Sequence, residues 1–338
     1  MLPAILSLSG PALTADERTL FRACDPAGYI LFGRNVVDRA QLRALTDDLR
    51  ALHGRDRLFI AIDQEGGRVA RMKPPEWQAT PPQGLFARLY DIAPASAIEA
   101  ARLNAECIGL DCAEAGITVD CLPLLDCPAP GADTIIGDRA FGTNPLAIAA
   151  LGRAVLDGLA RAGVAGVIKH IPGHGRAMAD SHLALPVVDA PAAELERDLG
   201  PFRALAHAAI GMTAHVRFTA WDDAAPATLS PRVIGDVVRG AIGFSGLLLT
   251  DDLDMAALNG EIPDRAERAL AAGCDLALYC WARLPDMAAM AERLPPITPA
   301  AAERLARALE PTAPATGPVA ERRADLAARR DALLALTA

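Results

Sequence analysis

Hydrophobic residues make up 52% of this 338-residue chain, which carries a net charge of −9 and has no run of Lys or Arg. An acidic chain without a basic stripe lacks the electrostatic footprint of a nucleic-acid-binding protein, and nothing in it attracts an anionic membrane surface. No apolar run reaches the about 20 residues that a membrane-spanning helix needs. We therefore expect a globular protein that binds neither nucleic acid nor membrane.

The N-terminal stretch, MLPAILSLSGPALTADE, lacks the features of a secretory leader. It has no basic start, and its apolar part ends after roughly seven residues, which is too short for the hydrophobic part of a signal. We expect a cytoplasmic protein. Because the cysteines form no CxxC pair, we interpret them as small buried apolar residues in a reducing compartment. They are Cys24, Cys107, Cys112, Cys121, Cys127, Cys274 and Cys280.

Short apolar runs of strand length recur along the chain, separated by longer stretches with helical periodicity. The predicted strands are Ala4–Leu8, Gly28–Phe32, Leu58–Ile62, Ile117–Cys121, Gly166–Lys169, Ile210–Ala214, Gly246–Thr250 and Leu276–Cys280. The predicted helices include Ala40–Leu52, Ser96–Ala115, Ala147–Ala162, Ala193–Ala209, Pro231–Ala241 and Asp264–Ala272. Gly116, Gly163 and Gly273 stand where helices are expected to end, because glycine accepts the left-handed backbone of a C-cap.

Eight strands that alternate with helices predict an α/β fold of the (β/α)8 barrel type. An open doubly wound sheet is the competing interpretation, but it would carry a glycine-rich phosphate loop after the first strand, and Ser7–Pro11 is not one. No Ser/Gly-rich linker divides the chain. We expect one catalytic domain over residues 1–338, with residues 299–338 forming helices that pack on the outside of the barrel.

Charged and polar residues follow the predicted strands, at the face of a parallel barrel where active sites lie. These residues are Asp63 and Glu65 after the third strand, Asp120 and Asp126 at the fourth, Lys169 and His170 at the fifth, His215 after the sixth, and Asp251 and Asp252 after the seventh. A single Asp at a strand end is often only the N-cap of the next helix. Convergence of so many charges on one rim favours an active site.

The residue types on this rim allow two kinds of chemistry. Carboxylates suit the cleavage of glycosidic bonds, whereas histidines suit a metal site. His170 and His174 are four residues apart, but Pro172 and Gly173 between them prevent the shared helical face of a zinc motif. We therefore expect no metal and no cofactor, and keep a metal-dependent barrel hydrolase and a sugar-binding module without catalysis as alternatives.

Four motifs carry a resemblance to a known family. They are residues 61–71 (AIDQEGGRVAR), 136–142 (IGDRAFG), 169–175 (KHIPGHG) with the trailing DSH of 180–182, and 250–255 (TDDLDM). In order and spacing, the chain resembles glycoside hydrolase family 3, and within it the NagZ-type β-N-acetylhexosaminidases. The third motif with its trailing Asp-Ser-His is the most specific of the four.

The resemblance implies a role for each matching position. Asp251 corresponds to the nucleophile, and His182 to the general acid/base with Asp180 as its partner. The residues that hold the terminal sugar correspond to Asp63, Arg71, Arg139, Lys169 and His170. Because side chains alternate along a strand, we expect only one of Asp251 and Asp252 to point into the mouth of the barrel. The departures from the family pattern are Cys121, Leu122 and Ile171.

The same resemblance implies a retaining exo-β-N-acetylglucosaminidase that works through a covalent glycosyl-aspartate intermediate. The implied substrate is a small carbohydrate, an anhydro-muropeptide released during cell-wall recycling in the cytoplasm, and we expect a monomer. The sequence does not separate muropeptides from chitooligosaccharides. A phosphorylase on the same scaffold is the alternative closest to the hydrolase.

Overall fold

The computed structural model describes residues 1–310 and 319–337, and its strands run parallel. In chain order the strands are β1 (Leu2–Ser7), β2 (Pro26–Leu31), β3 (Phe59–Ile62), β4 (Val119–Asp120), β5 (Ala165–Ile171), β6 (Val187–Val188), β7 (Ile210–Thr213), β8 (Arg217–Phe218), β9 (Leu247–Asp252) and β10 (Leu276–Leu278). Eight of them close into a barrel in the order β1-β10-β9-β7-β5-β4-β3-β2, and β6 pairs with β8 outside it. The predicted (β/α)8 barrel is confirmed.

Alternating residues of each barrel strand enter two separate layers of the core. Ile5, Phe59 and Val167 belong to the cluster inside the barrel, whereas their neighbours, such as Leu6 and Ile60, pack against the surrounding helices. Because both faces of a strand are covered, the strands are continuous apolar runs in the sequence. This is the signal from which all eight were predicted to within a few residues.

Helices surround the barrel and cover one of its ends. They are α1 (Ala15–Cys24), α2 (Arg39–His53), α3 (Gln83–Ile92), α4 (Pro94–Glu114), α5 (Pro145–Arg161), α6 (Ala192–Ala204), α7 (Ile262–Ala272), α8 (Leu284–Arg293), α9 (Pro299–Ala308) and α10 (Val319–Leu334), with a π-helical segment at Val233–Ala241. Gly116, Gly163 and Gly273 have positive φ angles at helix ends, as predicted. The helix predicted over Ala193–Ala209 is too long, because α6 ends at Ala204 and leaves His207 beyond it.

The two C-terminal helices lie at different places on the barrel. Leu305 and Ala308 of α9 join the inner cluster, at the end opposite the strand C-termini. Leu326 and Ala327 of α10 pack against α4, beside Leu103. The rest of the 299–338 stretch, residues 311–318 and 338, lies outside the described residues.

Two further sequence expectations concern burial. All seven cysteines are free, and six of them are buried, with Cys24 only partly covered. Within residues 1–310 and 319–337, no helix combines the length and the hydropathy that crossing a membrane requires.

Candidate active site

A cavity of about 350 Å³ opens where the barrel strands end. Of the eight residues to which the family resemblance gives a role, seven line it: Asp63, Arg71, Arg139, Lys169, His170, His182 and Asp251. The eighth, Asp180, does not line the cavity, but its carboxylate contacts the ring of His182. The fold therefore brings to one place residues that are up to about 190 positions apart in the sequence, as expected for a site built from strand ends.

The buried Glu65, the half-buried Asp63 and three cations form a network on one wall of the cavity. Asp63 accepts a hydrogen bond of 3.0 Å from Nη2 of Arg71 and lies 3.3 Å from Nζ of Lys169. Glu65 accepts two bonds of 2.8 Å from Arg139 and lies 2.7 Å from the same Nζ. Because each buried charge has partners of opposite sign, the network offsets the cost of removing these groups from water.

The ionisation of this network follows from its contacts. Burial raises the pKa of Asp63 and Glu65, but Lys169 and the neighbouring arginines hold both below their ordinary values. Burial lowers the pKa of Lys169, and the two carboxylates more than reverse this effect. Asp63, Glu65 and Lys169 are therefore charged at neutral pH, and with the two arginines the wall holds three cations and two anions. Such a wall offers donors and acceptors to the hydroxyl groups of a sugar.

Asp126 fixes the orientation of His170. Its carboxylate accepts backbone N–H bonds from His170 and His174, at 3.2 and 2.7 Å, and lies 2.8 Å from Nδ1 of His170. Burial raises the pKa of Asp126, but the two histidines and these bonds lower it to about 2. An ionised carboxylate only accepts, so Nδ1 of His170 donates and Nε2 is left to face a ligand.

Asp251 and Asp252 both line the cavity, which corrects the expectation that only one of them would. They end β9, where the ladder to β10 shifts register and one extra residue of β9 stands against β10. A bulge of this kind breaks the alternation of side chains. Burial raises the pKa of Asp251, while His170, His215 and the N–H of Asp252 hold it below the ordinary value. Burial raises the pKa of Asp252 to about 6, so Asp251 is the stronger acid.

His182 lies on the long segment between β5 and β6. Its Nδ1 is 2.7 Å from Oδ1 of Asp180, which also accepts the backbone N–H of His182 at 2.9 Å. Its side chain is 60% exposed, whereas the adjacent Ser181 is buried. Oγ of Ser181 is 3.1 Å from Nε2 of His174, and its carbonyl accepts from the N–H of Ala257. The segment is therefore attached to the barrel at Ser181, with the His182 ring free to meet a ligand.

Both ring nitrogens of His215 have protein partners. His215 is 2.7 Å from Oγ1 of Thr228 through Nδ1 and 2.9 Å from the carbonyl of Asp252 through Nε2. The rings of His170 and His174 meet edge to face, 5.7 Å apart. Across the described parts of the chain, no three His, Cys, Asp or Glu side chains form a group that could hold a metal ion.

Several residues of the cavity wall are harder to find from the sequence. Glu65 is expected on this rim from its place after the third predicted strand, but the family resemblance gives it no role. Arg34 and Trp281 follow β2 and β10 without any motif around them. His174 is within the third motif, but its partner Ser181 is revealed only by the fold.

Comparison with known proteins assigns the family. The family profile described as Glycosyl hydrolase family 3 N terminal domain matches residues 6–307. A Beta-hexosaminidase of Alkalilimnicola ehrlichii is 42% identical over 285 residues, which cover 82% of this chain and 80% of that protein. Native NagZ from Neisseria gonorrhoeae superposes with a TM-score of 0.87 at 31% identity, over 99% of this chain and 98% of NagZ. The same enzyme in complex with N-trifluoroacetyl-D-glucosamine gives a TM-score of 0.86 at 30% identity, with the same coverage.

A barrel with carboxylates and cations at the C-terminal ends of its strands supplies the paired acidic groups that glycoside hydrolysis uses. The chain belongs to glycosyl hydrolase family 3, and it is an enzyme whose relatives include β-hexosaminidases. The resemblance of the four motifs to this family, and within it to the NagZ type, is confirmed.

Proposed function

We propose that this enzyme is a retaining exo-β-N-acetylglucosaminidase, with Asp251 as the nucleophile. The observation that carries the proposal is the position of Asp251 at the end of β9. There it shares one cavity with the charged wall of Asp63, Arg71 and Lys169 and with the exposed ring of His182. A nucleophilic carboxylate must stay ionised, and the histidines around Asp251 lower its pKa in the required direction.

In the first half of the reaction, Asp251 attacks the anomeric carbon while the bond from that carbon to the leaving oxygen breaks. His182 gives its proton to that oxygen, and Asp180 stabilises the ring as its charge changes. In the second half, His182 takes a proton from water, which attacks the same carbon and releases Asp251. Two inversions give net retention. A histidine suits both steps because its unperturbed pKa is close to neutrality.

The charged wall defines where the terminal sugar binds. Asp63, Arg71, Arg139 and Lys169 present paired donors and acceptors, and Nε2 of His170 faces the same space. We propose that hydroxyl groups of one pyranose ring take these bonds and that its anomeric carbon faces Asp251. We further propose that residues 1–338 form one catalytic domain, and that the protein acts as a cytoplasmic monomer without a cofactor.

The sugar is proposed to be N-acetylglucosamine. The neighbour from Neisseria gonorrhoeae binds N-trifluoroacetyl-D-glucosamine, and the relatives named above are β-hexosaminidases, which supports this choice over glucose. We propose anhydro-muropeptides from cell-wall recycling as the substrate, with chitooligosaccharides as the other source of the same terminal sugar.

The acetamido group is proposed to be recognised without reacting. Enzymes that use this group as the nucleophile need a paired Asp-Glu at a strand end. The only such pair here, Asp16-Glu17, begins α1. Glu17 already accepts the backbone N–H groups of Ser9 and Thr14 at the helix cap. A thiazoline analogue of the cyclised intermediate should therefore inhibit weakly.

A direct assay tests the activity. We expect rapid release of p-nitrophenol from the β-N-acetylglucosaminide, slow release from the β-glucoside, and no change when inorganic phosphate is added. Preference for the glucoside would contradict the proposed substrate. Acceleration by phosphate, with a glycosyl phosphate as product, would instead identify a phosphorylase.

A trapping experiment tests the nucleophile. A fluorinated N-acetylglucosaminyl fluoride, which forms the intermediate faster than water removes it, should leave one sugar on the protein. Because Asp251 and Asp252 are adjacent, the peptide must be fragmented between them to assign the adduct. An adduct on Asp252, or none in the wild-type enzyme, would reject Asp251; the Asp251→Asn variant serves as the control and should carry no sugar.

A further inference from the structure

Trp281 is an exposed aromatic residue on the wall of the catalytic cavity. It is 53% exposed, whereas Trp77 is buried at 3% and Trp221 is half-buried against Phe218. Leaving a tryptophan ring in water forgoes the hydrophobic stabilisation that burial would give. Trp281 is also the one tryptophan of the three that lines the cavity. This combination points to a ligand that covers the ring.

The barrel places Trp281 across the cavity from the charged wall. Trp281 follows β10, and the segment after β4 supplies Arg139. In the closed order of strands, β4 is four strands from β10 in either direction, which is the opposite side of an eight-stranded barrel. The wall that contains Arg139 is thus rich in hydrogen-bonding groups, and the segment after β10 on the facing side carries the aromatic ring of Trp281.

The backbone next to Trp281 is held at Cys280. The N–H of Cys280 donates to Oδ1 of Asp252 at 3.1 Å, and the carbonyl of Cys280 accepts from Nη2 of Arg34 at 2.6 Å. On the other side, Arg283 forms ion pairs with Asp254 and Asp286. Backbone that is already held at Cys280 needs little further ordering when a ligand covers the ring, which favours binding.

We propose that Trp281 is a platform for the sugar ring of the leaving group. This inference rests on the proposed function, in which the charged wall holds the terminal sugar and the next ring must lie nearer the cavity mouth. A pyranose presents C–H groups on its faces, and these suit the apolar face of an indole. Trp281 therefore favours substrates whose leaving group is itself a sugar, over those with a small alcohol.

Two substrates with the same terminal sugar isolate this contact. N,N′-diacetylchitobiose has a sugar leaving group, and methyl β-N-acetylglucosaminide has none. We expect Trp281→Ala to lower kcat/KM for the disaccharide about tenfold, the size of one aromatic contact of roughly 1.4 kcal/mol. The kcat/KM for the methyl glycoside should change by less than about twofold, because this substrate has no second ring to contact Trp281. Trp281→Phe, which keeps an aromatic face, should retain most of the activity toward the disaccharide.

The outcomes separate this inference from the proposed function. If the wild-type enzyme cleaves neither substrate, the proposed function fails. If it cleaves both and Trp281→Ala lowers both equally or neither, the platform is rejected. A folding defect would lower both rates and the Tm, so the ratio of the two kcat/KM values is the deciding quantity.

Fluorescence gives a second readout that does not depend on turnover. A thio-linked chitobiose, which is not hydrolysed, should protect the wild-type enzyme from acrylamide quenching, because its outer ring covers Trp281. In Trp281→Phe the remaining fluorescence comes from Trp77 and Trp221, which do not line the cavity, and protection should disappear. Equal protection in both proteins would overturn the proposal.

Discussion

At the scale of single residues, the pKa values of two buried carboxylates in this barrel, Asp120 and Asp126, shift in opposite directions. Asp120 is fully buried, accepts one bond from the N–H of Gln64, and has an Oδ2 without a partner, so burial and the nearby anions hold its pKa well above the ordinary value. Asp126 is equally buried, but three donors surround it and its pKa falls to about 2. Hydrogen-bond partners, rather than burial, decide which acid is charged.

This difference predicts opposite responses to neutralisation. An acid whose pKa is raised in the folded protein loses stability as the pH rises above the ordinary aspartate value, because the unfolded chain releases the proton first. Asp120→Asn removes this loss. We expect its Tm at pH 8 to exceed that of the wild type by about 2–4 °C, the shift that 1 kcal/mol gives in a larger domain. The difference in Tm between Asp120→Asn and the wild type should become smaller as the pH is lowered toward 4.

Asp126→Asn is the matched control for Asp120→Asn. Its lowered pKa means that the charged form stabilises the fold above the ordinary aspartate value, and that this contribution is lost as the pH falls toward 2. The variant should melt below the wild type at pH 8, and the difference should narrow in acid. Thermal unfolding of both variants at several pH values tests these two predictions. If both substitutions shifted the Tm at pH 8 in the same direction relative to the wild type, the opposite protonation states inferred for Asp120 and Asp126 would be wrong.

His182 allows a separate prediction about proton transfer. General acid catalysis contributes about 10²- to 10⁴-fold, so His182→Ala should lower kcat/KM by this order for chitobiose. A 2,4-dinitrophenyl glycoside needs little protonation of its leaving group and should lose much less. The alternative is that Asp180 and Ser181 only shape a turn. That role predicts equal losses for both substrates together with a lower Tm, and equal losses would leave the acid unassigned.

At the scale of whole elements, the strands and the four motifs were predictable because each depends on local sequence. Buried strands are continuous apolar runs, and Asp63, Lys169 and Asp251 follow them directly. Contacts between distant segments left no such signal. The register shift that turns Asp252 into the cavity, the His174–Ser181 contact and the position of Trp281 across from Arg139 all depend on how separate elements meet.

The packing of α4 against α5 depends on glycine at the contact. A Cβ added to Gly158 would lie 2.3 Å from the carbonyl oxygen of Arg102 and 2.8 Å from Cβ of Ala105. Backbone atoms cannot move aside as a flexible side chain can. We therefore expect Gly158→Ala to lower the free energy of unfolding by about 1–3 kcal/mol, measured by urea denaturation.

Gly235 provides the control for this prediction. It lies in the π-helical segment, and a Cβ there would meet nothing within 4 Å. Gly235→Ala should raise the free energy of unfolding slightly, by up to about 1 kcal/mol, since alanine restricts the unfolded chain more than glycine does. If the two substitutions had the same effect, close approach of α4 and α5 would not be the reason for glycine at position 158.

At the scale of the whole molecule, the two ends of the barrel serve different purposes. The C-terminal ends of the strands carry the charged cavity, while α9 covers the opposite end with Leu305 and Ala308. On the outer surface, α10 is joined to α4 by ion pairs from Arg322 to Glu106 and from Arg323 to Asp111. None of these four residues lines the cavity, so stability and catalysis can be altered separately.

This separation predicts that neutralising Glu106 lowers stability without changing catalysis. Glu106 is 3% exposed and lies between Arg102, at 3.3 Å, and Arg322, at 2.6 Å. Neutralising Glu106 leaves Arg322 without its carboxylate, whereas Arg102 keeps its ion pair with Glu99. Glu106→Gln should therefore cost about 1–3 kcal/mol of unfolding free energy. Asp325→Asn, which breaks an exposed pair with Arg329 on the same helix, should cost less than about 0.5 kcal/mol. Both variants should keep the wild-type kcat at 25 °C, and a loss of kcat in Glu106→Gln at full folding would show that α4 and α10 influence the active site.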